Sequence, residues 1–407
     1  MIAPGKPGEK EIQMTNNAPN LKRRSFLKWG AAGLAGLAVN PAAGNPAGKQ
    51  QPGEPAKKNK FVLRPLGKTG LRLPVVSMGV MNADNPELVR AALDRGIVLL
   101  DTANGYQRGR NETMIGEVIK GRPRDSFVIA TKVPAESTAE EYIRNFDISL
   151  HRLGLDYVDI LHVHDCSNKQ AVLFEPVLNG LGKIKKDGKA RFVGVSTHSN
   201  EPDVIRAVVE GKFHDVVLTA YNFRQRNRED IQKAIAEAAA AGVGIIAMKT
   251  QAGRFWDKAR QQPINMKAAL KWVLNDPNVT TAIPGMTTFD QLDLDLSVME
   301  DPTLTEPEKK ELQLEAVSAG LYCQQCGRCR PGCPENLPLP SLMRSYMYAY
   351  GYRNLGAAYD LLQELDLPPH PCTSCISCTV RCVQGFDVAD RVKDIVRLKD
   401  VAGDFFA

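Results

Sequence analysis

Between residues 60 and 315 the chain alternates two hydrophobic rhythms. Short β-branched runs at 73–79, 97–101, 127–132, 157–164, 191–196, 215–221, 243–248 and 279–283 read as buried strands. Between them lie stretches such as NPELVRAALDRG, AEEYIRNFDISLHRLG and REDIQKAIAEAAAAG, whose apolar residues recur every three or four positions. That spacing puts them on one face of a helix. Eight βα units in a row predict an α/β fold, a (β/α)8 TIM barrel over 61–315. A doubly wound sheet is the alternative, but no GxGxxG follows the first strand, which disfavours a Rossmann dinucleotide site.

Past residue 315 the strand rhythm stops. LPSLMRSYMYAYGYRNLGAAYDLLQEL (339–365) has helical spacing and predicts one or two helices, and DVADRVKDIVRL predicts another. Residues 316–407 are therefore a small α-helical unit appended to the barrel. Tyr346, Tyr348, Tyr350 and Tyr352 are expected to pack that unit, with electron relay as their alternative role.

The same unit holds eight of the nine cysteines, Cys166 being the other. Cys323, Cys326, Cys329 and Cys333 follow CxxCxxCxxxC, and Cys372, Cys375, Cys378 and Cys382 repeat it. Two-residue gaps let successive thiolates converge on one small object, and eight thiolates so spaced suit two [4Fe–4S] clusters. In two-cluster ferredoxins the fourth cysteine of each run serves the other cluster. By that logic Cys323, Cys326, Cys329 and Cys382 hold one cluster, and Cys372, Cys375, Cys378 and Cys333 the second. Disulfides account for an even count but not for a repeated spacing, and zinc is the remaining alternative.

At the other end, LKRRSFLKWGAAGLAGLAV places Arg23 and Arg24 before a short, weakly apolar stretch. It resembles a twin-arginine export signal over residues 1–39, followed by a Pro/Gly/Lys-rich linker over 40–60. A basic disordered tail beside a short core helix is the alternative. Export by this route carries folded proteins, so clusters inserted in the cytoplasm would survive it. The expected destination is the periplasm or the envelope exterior, with retention by an uncleaved signal left open. A net charge of +6 without a basic stripe disfavours nucleic acid as a partner, and no apolar run past the N-terminus spans a bilayer.

The chemistry of the barrel belongs at the C-terminal ends of its strands. GIVLLD ends in Asp101, SFVIATK in Lys132, YVDILHVH in His164 and ARFVGVS in Ser196, with Tyr106 five residues past Asp101. Polar residues at four strand ends converge on one mouth. The segments RPLGKTGLRLPVVSMG, DTANGYQRGRNETMIG, ATKV, LDYVDILHVH and GVSTHSN resemble the aldo-keto reductases in order and spacing, over roughly residues 61–300. The cysteine-bearing tail resembles the subgroup of that family with a C-terminal ferredoxin-like domain.

The resemblance implies a catalytic tetrad of Asp101, Tyr106, Lys132 and His164. Tyr106 would act as proton donor, assisted by the Lys132 ammonium, with Asp101 orienting the lysine and His164 bonding the substrate carbonyl. His162, on the same strand face, is expected inside the barrel. The resemblance further implies nicotinamide contacts at Ser196, Thr197, Asn222, Met248, Lys249, Gly285, Thr287 and Gln291. Leu218, Met248, Gly285 and Gln291 depart from the family's usual residues, which leaves NAD, NADP or no nicotinamide open.

The expected activity is carbonyl/alcohol interconversion on a small substrate by hydride exchange with NAD(P)H. Nicotinamide moves two electrons as hydride, each cluster moves one, and no flavin motif is visible between them. Two alternatives follow. The clusters could be structural, clamping the tail over the barrel mouth as a lid. Otherwise the chain is an electron-transfer protein, working with a redox partner, whose barrel has lost its cofactor.

Overall fold

Apolar runs without a polar face must be covered on both sides, and here they form one parallel sheet wrapped by helices. The structure is a computed structural model describing residues 61–314, 320–372, 375 and 377–406. The expected signal (1–39), the linker (40–60) and the expected domain boundary at 315/316 lie outside the described residues. The strands are β1 (Leu63–Pro65), β2 (Arg72–Pro74), β3 (Met78–Gly79), β4 (Leu99–Asp101) and β5 (Val128–Pro134), then β6 (Val158–His164), β7 (Ala190–Thr197), β8 (Val216–Ala220), β9 (Gly244–Met248) and β10 (Thr281–Ala282). From β3 to β10 each strand pairs in parallel with its neighbour in sequence. Parallel bridges Val76↔Ala282 and Gly79↔Gly285 bring the first and last strands together. A helix follows each of the eight, from Pro86–Asp94 to Phe289–Glu300. The result is the expected barrel.

Local chemistry sets the helix ends. Asn85 caps Pro86–Asp94 by accepting from the Glu87 N–H, and Thr138 caps Ala139–Leu153 by accepting from Glu141. Gly154, at φ 64°, ends the latter helix in the left-handed conformation glycine tolerates best.

The run expected as one strand, 73–79, is divided. Its first half pairs as β2 with β1 in an antiparallel hairpin, and only Met78–Gly79 joins the barrel. Leu66 and Leu73 of this hairpin pack with Leu99, Val128, Ile160 and Val216 inside the barrel. Leu99 and Val128 begin their strands, so the hairpin closes the end opposite the catalytic mouth.

The C-terminal unit comprises helices Leu339–Tyr350, Leu355–Glu364 and Val388–Val396 around Leu342, Met343, Leu362, Val392 and Ile395. Its tyrosines pack in two pairs, Tyr346 with Tyr350 and Tyr348 with Tyr352. Among the described residues no helix is long and apolar enough to cross a membrane.

Candidate active site and cysteine pockets

Parallel strands align their C-terminal ends, so Asp101, Lys132 and His164 emerge together. The Lys132 ammonium donates to Asp101 Oδ1 at 2.5 Å and to the Thr102 carbonyl at 2.6 Å. It also lies 3.3 Å from the Tyr106 hydroxyl. Lys132 is 1% exposed and Asp101 3%. Burial pushes the pair toward neutrality, and their mutual attraction opposes it on both sides. Tyr106 reaches the group because Gln107, Arg108 and Gly109 turn the chain left-handed, at φ 52°, 56° and 86°. Gly109 suits this turn because its φ of 86° would strain any side-chain-bearing residue, and a Cβ would also displace the Arg152 guanidinium.

Tyr106 and His164 meet edge to face, with ring centroids 5.9 Å apart. The tetrad that the resemblance implied is therefore assembled. His162 is fully buried below it, in space left by Gly194, where a Cβ would meet its Nδ1. Burial first, then Lys132, lowers His164 to about 3, so the imidazole is neutral at physiological pH. The phenol of Tyr106 is not loosened at rest: burial and then Asp101 hold it well above the ordinary range.

Most groups expected to hold nicotinamide are already engaged. Ser196 Oγ accepts from the Asp165 N–H and donates to the Val163 carbonyl. Thr197 donates to the Ser199 carbonyl, and the Asn222 side chain bridges the Lys249 carbonyl and the Arg224 N–H. Gln291 folds back to accept from the Thr287 N–H, beside Gly285, so its carbonyl caps a turn. Met248 packs against the barrel-interior cluster. What remains for a dinucleotide is acceptor capacity on Ser196 and the Lys249 ammonium. The latter makes no hydrogen bond or ion pair among the described residues, and burial lowers it to about 8. The residues fit an anionic cofactor at Lys249 and offer few spare donors elsewhere.

The cysteines divide as the crossed pattern requires. Cys323, Cys326, Cys329 and Cys382 line one pocket, and Cys333, Cys372, Cys375 and Cys378 another. Backbone N–H groups of Gln325 and Gln384 donate to Cys323 and Cys382 Sγ, at 3.2 and 3.4 Å. Such bonds stabilise thiolate ligands. All eight are unpaired thiols. No three Cys, His, Asp or Glu among the described residues converge as one metal ion needs. Each pocket is lined by four thiols, the donor set that a four-iron cluster takes.

The cysteine domain docks on the catalytic face. Asn354 bonds Asn82, Arg108 pairs with Asp360, and Gln324 bonds the Arg224 carbonyl. Arg226 reaches the Val383 carbonyl, and Arg260 that of Tyr350. At the centre, Arg344 pairs with Asp165, and Gln325 bonds His198 at 2.6 Å. These contacts engage the loops after β3, β4, β6, β7, β8 and β9. Asp165, His198, Gln325 and Arg344 were absent from the sequence reading. Only Arg344 left a signal there, as the single charge in LPSLMRSYMYAY.

A model described as the aldo/keto reductase family matches residues 77–268, and one described as a 4Fe-4S dicluster domain matches 322–387. L-galactose dehydrogenase of Arabidopsis thaliana is 35% identical over 34% of this chain, a match spanning 49% of that protein. An uncharacterised oxidoreductase of Bacillus subtilis is 23% identical over 61% of this chain and 95% of its own. Among solved structures, an aldo-keto reductase from Bacillus halodurans superposes with a TM-score of 0.53 at 23% identity, covering 64% of this chain and 98% of that one. A putative aldo-keto reductase from Pseudomonas aeruginosa gives 0.50 at 25%, covering 59% and 95%. The chain is thus an oxidoreductase that carries an aldo/keto reductase family domain over residues 77–268, joined to a C-terminal 4Fe–4S dicluster domain over 322–387.

Proposed function

We propose that the barrel interconverts a carbonyl and an alcohol on a small substrate, with NAD(P)H as hydride donor. The carrying observation is the Lys132 ammonium, which meets Asp101, Thr102 and Tyr106 at once. Bound nicotinamide would supply or accept hydride, with Lys249 and Ser196 as its available partners. Neutral His164 hydrogen-bonds the carbonyl oxygen. As negative charge grows there, Tyr106 gives up its hydroxyl proton. The Lys132 charge 3.3 Å away then stabilises the phenolate left behind. A phenol held protonated at rest suits this role, because the field favouring ionisation is needed only in the transition state.

The dicluster domain acts on this reading as a lid, supported by its contacts with loops after six barrel strands. Cys323, Cys326, Cys329 and Cys382 would hold one [4Fe–4S] cluster, and Cys333, Cys372, Cys375 and Cys378 the other. Such clusters exchange single electrons when bound. The pair Arg23 and Arg24 supports export of the folded protein by the twin-arginine route.

The test is a nicotinamide oxidation assay on anaerobically purified protein with reactive aldehydes, alongside equilibrium binding of NADH and NADPH. Turnover with either cofactor is expected. Absence of both binding and turnover would favour the electron-transfer reading.

A further inference from the structure

Helix Leu339–Tyr350 carries a single charged side chain, and the docking of the dicluster domain delivers it into the barrel mouth. Arg344 is 9% exposed, and its Nη1 donates to Asp165 Oδ2 at 2.5 Å and to His198 Nε2 at 3.0 Å. Its Nε is buried and makes no hydrogen bond among the described residues. Asp165 directly follows His164 and sits at φ 62°, so strained backbone holds its carboxylate against the arginine. The other side of the guanidinium fork stays uncommitted.

Cations and carboxylates pair across the mouth, with Glu364 also in electrostatic range of Arg344. Asp101 answers Lys132. Asp165 answers Arg344, and among the described residues Lys249 makes no ion pair. Glu201, the next carboxylate in electrostatic range of Lys249, is occupied by Gln225 and Asn227. An unmet donor on a buried guanidinium is costly, and a bound carboxylate would relieve it. Arg344 also acts electrostatically on Tyr106 and His164, which places it at the reacting end of the mouth.

We infer that Arg344 of the dicluster domain is a substrate-binding residue of the barrel site, anchoring the carboxylate of an anionic carbonyl or hydroxy compound. A flat carboxylate matches the free edge of a guanidinium, which can donate two parallel hydrogen bonds. The inference rests on the carbonyl-reductase reading for its chemistry, while the anion site itself stands apart from it. The dicluster domain then completes the site as well as covering it.

The experiment uses the full chain, purified anaerobically and checked for iron. Straight-chain aldehydes with and without a terminal carboxylate are compared by kcat/KM. Calorimetry measures binding of the corresponding unreactive carboxylates and of inorganic phosphate. The native protein should favour the carboxylated series, and Arg344→Gln should cut that preference about 10- to 100-fold, as loss of a charged hydrogen bond does. Asp165→Asn removes the carboxylate charge that competes for Arg344 and should tighten carboxylate binding. Opposite signs for the two variants distinguish a ligand site from a structural ion pair, which both would weaken alike. The inference is overturned by equal use of neutral and carboxylated aldehydes, by a preference Arg344→Gln leaves intact, or by tighter binding of phosphate than carboxylate. Carboxylate binding through Arg344 without turnover of any aldehyde would uphold the site and remove the carbonyl chemistry. Turnover without an Arg344-dependent preference would do the reverse.

Discussion

The barrel mouth and the cysteine loops are both built for chemistry, but they are held in different ways. Lys132 and Asp101 are fixed by a sheet in which β4 is bonded to β3 and β5, and β5 to β4 and β6. The cysteine loops have no sheet behind them among the described residues. They turn through left-handed residues, Gln325 at φ 57°, Asn336 at 49° and Cys372 at 64°, and five of the eight cysteines lean on a small apolar core. Burial raises Cys323 to about 12 and Cys372 to about 11, so metal must displace protons to bind. The lesson is that one site is preorganised by backbone, whereas the other draws its order from its ligand.

The largest expected effect separates the two directly. Removing iron with a chelator should make the region 320–406 sensitive to limited proteolysis and leave the barrel resistant. Cys382→Ser should lower iron from about eight to about four per chain, since it breaks only the cluster of Cys323, Cys326 and Cys329. A barrel cleaved as readily as the tail would erase the contrast, as would full iron in the Cys382 variant.

The next effect bears on the preorganised site alone. Tyr106→Phe should reduce kcat by roughly 10²–10⁴ with iron content unchanged, because it removes only the proton donor. Since His164 is lowered to about 3, it stays neutral as pH falls through the ordinary histidine range. The native pH profile should therefore show no histidine step between about pH 5 and 8. A step near pH 6.5 that disappears in His164→Asn would contradict the neutral imidazole.

The smallest effect tests how completely the barrel satisfies its own interior. Asp295 is buried with Gln251 as its hydrogen-bond partner at 3.3 Å, and burial raises it to about 8. The unfolded chain loses this proton near pH 4 and the folded chain near pH 8, so its contribution to stability is lost as pH rises between them. Asp295→Asn should raise the apparent Tm at pH 8 by about 2–4 °C, the shift made by roughly 1 kcal/mol in a domain of this size. The gain should shrink toward pH 4. A pH-independent difference would assign the effect to packing.

Features encoded by short-range spacing were legible in the sequence. Eight apolar runs located the barrel strands within a few residues, because parallel strands covered on both faces leave no alternation to misread. The polar ends of those runs pointed to Asp101, Lys132 and His164, since barrel topology sends every C-terminal strand end to one side, and the resemblance to the aldo-keto reductases added Tyr106 and the roles. Repeated cysteine spacing gave the two sets of four that the pockets bring together. The hairpin strand Leu63–Pro65 escaped notice, being three residues long with a proline at its end, too short to show a period.

Tertiary structure decided what those groups face. Arg344 lies 179 residues from Asp165 and 146 from His198, and Gln325 lies 127 from His198. No local period encodes such pairs. They depend on the complementarity of two separately folded surfaces and on the rotamers available once these meet. The same holds for Ser196, Thr197 and Asn222, whose residue types suit a cofactor but whose hydrogen bonds turn inward. Spacing along the chain chose the reactive groups, and packing across the two domains set the charge around them.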